Sequence, residues 1–74
     1  MGMKHISRTK FKIIKRAKTK LAKEPLLLVQ VIEKDNLFYG YYAVLARHPV
    51  TKEYSRLTIS QKLDLVTNTF NGQK

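Results

Sequence analysis

Apolar residues recur along the first third of the chain at helical spacing. Phe11, Ile14, Ala17 and Leu21 are separated by three, three and four residues, with Ile13 beside them, which predicts an apolar stripe on a helix. Lys12, Lys15, Arg16, Lys18, Lys20 and Lys23 take the remaining faces, and Ser7 or Thr9 is the expected N-cap. Glu24-Pro25 closes the segment, because the residue before a proline is pushed out of the helical region. A short strand is the rival. Lys10-Phe11-Lys12-Ile13 alternates, Lys12–Arg16 and Arg16–Lys20 are repulsive i,i+4 pairs, and early lysines oppose the helix dipole. Phosphates would relieve that repulsion, so the segment is expected to be loose when free and ordered when bound.

From Leu26 the period shortens. LLLVQVIE (26–33) reads as a first strand, and Lys34-Asp35-Asn36 as a compact turn. LFYGYYAVLAR (37–47) reads as a second strand, with Gly40 marking a bulge. A turn follows at His48-Pro49-Val50-Thr51, where Pro49 is preset for the first corner. KEYSRLTIS (52–60) alternates as a third strand, with Leu57 and Ile59 on one face and Tyr54, Arg56 and Thr58 on the other. Ser60 is the expected N-cap of a helix over 61–70 that buries Leu63, Val66 and Phe70 and ends before Gly72. The chain is therefore expected to be a small single α+β domain of order α-β-β-β-α, with a three-stranded antiparallel meander and a basic N-terminal helix. Residues 1–24 form the basic amphipathic segment, and 25–74 the sheet and C-terminal helix.

Composition narrows the function classes. Seventy-four residues make one small domain. No apolar run approaches the roughly 18 residues of a membrane span, and no apolar segment of a signal peptide follows the basic N-terminus. A chain without cysteine has no disulfides, no thiolate zinc site and no cysteine nucleophile, which fits a cytoplasmic location. His5 and His48 are the only histidines and have no carboxylate cluster beside them, so no metal, cofactor or catalytic residue is expected.

Charge changes the picture most. The net charge is +10, and the stretch from Arg8 to Lys23 carries eight Lys or Arg with no acid. A helix built only for solubility interleaves signs, so one-sided charge points to a polyanion. The expected function is a small, non-enzymatic, regulatory nucleic-acid-binding protein, DNA or RNA, of the size and charge of proteins from phages and other mobile elements. Arg8, Lys10, Lys12, Lys15, Arg16, Lys18, Lys20 and Lys23 hold phosphates in this account. Tyr39, Tyr41 and Tyr54 form an aromatic platform on the sheet, ringed by Arg47, Lys52 and Arg56, and a one-residue slip of register would put Phe38 and Tyr42 in place of Tyr39 and Tyr41. One alternative is an interaction module or inhibitor docking its basic segment on an acidic protein. A second is an RNase-like toxin using His48 with Arg47, Lys52, Glu53 and Tyr54 around one turn. A homodimer is expected if Leu26–Ile32 presents a free strand edge to its twin.

GYYAVLARHPVTKEYSRLTIS followed by a helix resembles the three-stranded, helix-backed DNA-binding modules of phage-type integrases. Pro49-Val50-Thr51 matches their Pro-x-Thr turn, and Lys52 stands where their usual glycine follows. The α-β-β-β-α order is also similar to that of double-stranded-RNA-binding domains, although their glycine-rich turn is missing. Both resemblances imply nucleic-acid binding and assign no individual residues.

Overall fold

The computed structural model describes residues 10–74. Their elements are β1 (Phe11–Lys18), β2 (Pro25–Val31), β3 (Tyr42–Arg47), β4 (Tyr54–Ser60) and α1 (Leu63–Gln73). The strands form one antiparallel sheet in the order β1-β2-β3-β4. The expected α-β-β-β-α order is thus corrected to β-β-β-β-α, because the basic segment folds as a strand rather than a helix. The order that carried the likeness to double-stranded-RNA-binding domains goes with it. Ser7, Arg8 and Thr9 lie outside the described residues.

A bulge explains why β1 imitates a helix. Phe11 and Ile13 pair with Val31 and Val29, but the register then shifts, and Lys15, Arg16 and Ala17 pair with Leu28, Leu27 and Leu26. The extra residue, Ile14, changes the phase of alternation. Apolar residues therefore fall at 11, 13, 14 and 17, intervals that a helix would also produce. Tertiary pairing decides the outcome. Leu26, Leu27, Leu28, Val29 and Val31 are all buried, so β2 is apolar on both faces and needs a hydrogen-bonded neighbour on each side. β1 supplies one and β3 the other. The expectation that Leu26–Ile32 offers a free edge is corrected accordingly: the sheet's edges are β1 and β4.

The second strand starts five residues later than expected. The Asn36 side-chain oxygen accepts the Phe38 N–H at 2.8 Å. The Tyr39 N–H donates to the Asn36 carbonyl at 3.0 Å, and the Tyr41 N–H to the Phe38 carbonyl at 2.9 Å. These turns consume the backbone groups that a ladder would need. Gly40, at φ +84°, marks the expected bulge: its N–H donates to the Val31 carbonyl and the Val31 N–H to the Tyr41 carbonyl, both at 2.9 Å, so Gly40 and Tyr41 together face Val31, and the Gly40 carbonyl accepts from the Gln30 side-chain amide at 3.2 Å. In β4 the bulge lies between the pairs Val44–Thr58 and Leu45–Arg56, at Leu57. It puts Arg56 and Ile59 on one face and Thr58 on the other, which corrects the simple alternation expected there.

α1 lies across β2, β3 and β4 on one face of the sheet. Val66 and Phe70 pack there on Leu26, Leu28, Val44 and Ala46. Leu63, expected in that stripe, is 39% exposed. The N-cap is Lys62 rather than Ser60, whose hydroxyl accepts the Lys62 N–H at 3.1 Å, and the helix runs past Gly72. The Lys20 N–H donates to the Gln73 carbonyl at 2.9 Å, tying the β1–β2 turn to the end of α1. Leu27, Val29, Ala43 and Leu45 form a second cluster on the opposite face. Among the described residues no helix covers that face: they are only 17 Å thick, the depth of one sheet and one helix layer.

Candidate nucleic-acid interface

The cover of the helix-free face comes from the strands' own side chains. Phe11 on β1 and Tyr54 on β4 belong to opposite edge strands, three spacings or about 14 Å apart in a flat sheet. Their rings nevertheless meet edge to face at 5.9 Å. Strong twist brings these diagonal corners together. With Ile59, the two rings roof Leu27, Val29, Ala43 and Leu45.

Arginines surround this roof. Arg16 pairs with Leu27, Leu27 with Leu45, and Leu45 with Arg56, so one row across the face reads Arg-Leu-Leu-Arg. Arg47 pairs with Tyr54 one row further along and holds its guanidinium 5.4 Å from the Tyr54 ring centre. Its Nε donates to the Lys52 carbonyl at 3.2 Å, which fixes the group in place. Arg56 lies 5.7 Å from the ring centre of Phe38, which itself meets Tyr41 edge to face at 5.4 Å. Between the two ends of this surface a cavity of about 290 Å³ is lined by Ile13, Arg16, Ala17, Pro25, Leu27, Arg47 and Tyr54.

The sheet carries no carboxylate. Its strands hold Lys12, Lys15, Arg16, Lys18, Arg47 and Arg56, while Glu24, Glu33, Asp35 and Glu53 sit in turns and Asp64 in the first turn of α1. α1 itself, LDLVTNTFNGQ, has no Lys or Arg. The positive field of the described residues is therefore set by the sheet and its turns.

The expected residues divide into groups. Arg16, Arg47, Tyr54 and Arg56 come together on the helix-free face, and Lys18, opposite Pro25, lies at its border. Lys12 and Lys15 share the helix-side face with Gln30 and Leu28, but they are exposed on the edge strand. Lys10 is exposed just before β1, and Lys20 and Lys23 are exposed in the β1–β2 turn. Lys52 is exposed in the β3–β4 turn. Tyr39 and Tyr41 lie in the β2–β3 connection rather than on a strand, so they do not extend a strand-borne platform. Phe38 takes the place beside Arg56 instead. Phe11 is the residue that sequence reasoning missed, whereas Phe38 belongs to the one-residue-shifted register of the expected platform. The alternation around Phe11 was the available signal.

His48 has a structural task. Its Nδ1 accepts the N–H groups of Val50 and Thr51 at 3.1 and 3.2 Å, closing the β3–β4 turn. It does not line the cavity that Arg47 and Tyr54 share. No cluster of three or more His, Cys, Asp or Glu occurs among the described residues, and none of their helices is long and apolar enough to cross a membrane.

The stretch that resembles the integrase modules forms the β3–β4 hairpin followed by α1. Lys52 adopts φ +65° where those modules carry glycine. No family model matches the chain, and comparison with curated proteins and with solved structures gives no match either.

Proposed function

We propose that this protein is a non-enzymatic nucleic-acid-binding protein that engages its target with the helix-free face of the sheet and the basic β1 edge. The observation that carries this reading is the charge separation of the sheet: six cations and no carboxylate on the strands, with Arg47 beside Tyr54, Arg56 beside Phe38 and Arg16 lining one cavity with Tyr54. Cations displace counterions from phosphates, and exposed guanidinium planes and rings give bases a stacking surface. The acids are kept to the turns and the helix, off the strands themselves.

Lysines on an edge strand also prevent edge-to-edge association, which accounts for part of the charge on β1. It does not account for Arg47, which ends the inner strand β3 with its guanidinium beside the Tyr54 ring. A second reading, docking on an acidic protein, draws on Leu21 and Val50. These are 97% and 79% exposed in the β1–β2 and β3–β4 turns at one end of the sheet, near Lys20, Lys23 and Lys52. Exposed apolar side chains among lysines suit such a partner.

Fluorescence anisotropy with labelled DNA and RNA across a salt series separates the two. The nucleic-acid reading expects affinity that falls steeply with salt and weakens in the triple variant Arg16→Gln, Arg47→Gln, Arg56→Gln. Absence of binding at low salt would leave the acidic-protein reading.

A further inference from the structure

We infer that the target is single-stranded, and that one unpaired base enters the cavity between Arg16 and the Arg47–Tyr54 pair. This rests on the nucleic-acid reading above and specifies its ligand. The walls of the cavity are chemically mixed in a particular way. Ile13, Pro25 and Leu27 offer it apolar surface, Tyr54 offers ring surface, and two guanidinium groups flank it. A phosphate ridge gains nothing from Ile13 or Leu27, whereas a base plane gains from all of them. Arg47 is held beside Tyr54, its guanidinium carbon 5.4 Å from the ring centre, by the hydrogen bond from its Nε to the Lys52 carbonyl, so a cation already stands at the ring that a base would meet. Exposed Arg16, on the strand across the cavity, is placed for the phosphate next to that base.

Size points the same way. About 290 Å³ lies at the small end of ligand pockets and suits a nucleoside. A base that is stacked and paired in a duplex presents only its edge and cannot enter. The element that reads a major groove in many duplex binders is a helix, and α1 has no Lys or Arg with which to hold phosphates. Because the cavity reads a ring face and not a hydrogen-bonding edge, sequence preference is weak.

The test uses the full chain and three labelled ligands of one length at one salt concentration: a mixed-sequence 12-mer single strand, its duplex, and the same strand with abasic sites throughout. The single strand is expected to bind at least tenfold tighter than either of the others. Tyr54→Leu, which keeps apolar cover over Leu27 and Leu45 but removes the ring, is expected to cost about tenfold on the single strand and nothing on the abasic strand. Arg47→Gln, at an exposed position, carries less risk to folding and is expected to weaken both strands through its lost charge but the base-bearing strand more, and circular dichroism checks both variants. Equal binding of the abasic strand, or duplex binding as tight as the single strand, would overturn the single-strand inference while leaving nucleic-acid binding intact. No binding of any ligand at low salt would overturn both.

Discussion

At the scale of single residues, three backbone positions among the described residues have left-handed φ: Lys23 at +57°, Gly40 at +84° and Lys52 at +65°. A Cβ at Gly40 would meet no atom within 4 Å, so the cost of Gly40→Ala is conformational and not steric. We expect a loss of about 1 kcal/mol in urea unfolding. Lys52→Gly is the reverse case. It relieves left-handed strain in a side-chain-bearing residue and is expected to gain up to ~1 kcal/mol, less the greater entropy of glycine in the unfolded chain. His48→Ala removes the acceptor for two turn amides and is expected to cost about 1 kcal/mol, with His48→Asn restoring much of it through the same kind of turn. Thermal or urea unfolding of the four variants checks these values together.

Among the elements, what the sequence made legible depended on whether a pattern had one physical cause or two. The apolar runs of β2 and β3 and the Val66–Phe70 stripe of α1 were readable because only burial explains them. β1 was misread because a bulged strand and a helix place apolar residues at nearly the same intervals. The bulge itself exists only against the register of β2, which no local pattern contains. Likewise the Phe38–Tyr41 stretch has strand-forming residues, yet Asn36 commits its start to a turn and Gly40 places a bulge against Val31 before the regular ladder begins. The candidate site was partly legible. Arg47, Tyr54 and Arg56 were identified as a group from one hairpin, whereas their meeting with Arg16 and Phe11 depends on sheet twist and on β1 being a strand. A peptide of residues 8–24 should accordingly lack helical circular dichroism in water. In α1, Phe70→Ala removes the largest fully buried side chain, and a loss of about 3–5 kcal/mol would leave so small a domain largely unfolded at 25 °C.

For the whole molecule, the division of labour follows from thickness and charge. One face of the sheet is given to α1 and the hydrophobic core. The other is roofed by its own rings and arginines, and it carries no carboxylate. The resulting field is sensitive to salt. Neutralising Arg16, Arg47 and Arg56 together is expected to reduce the slope of log K against log salt by about 2 on a single strand, at about 0.7 per cation. Neutralising Lys62 and Lys74, which flank α1, should leave the slope almost unchanged.

The measurement that tests the central claim most directly is a nuclear magnetic resonance titration of the isotope-labelled protein with a short single strand, followed residue by residue. The account predicts shift changes concentrated on Phe11, Ile13, Arg16, Arg47, Tyr54 and Arg56, with the exposed helix positions Asp64, Leu65, Asn68 and Asn71 unmoved. Changes centred on α1, or spread evenly over every lysine of the surface, would contradict it.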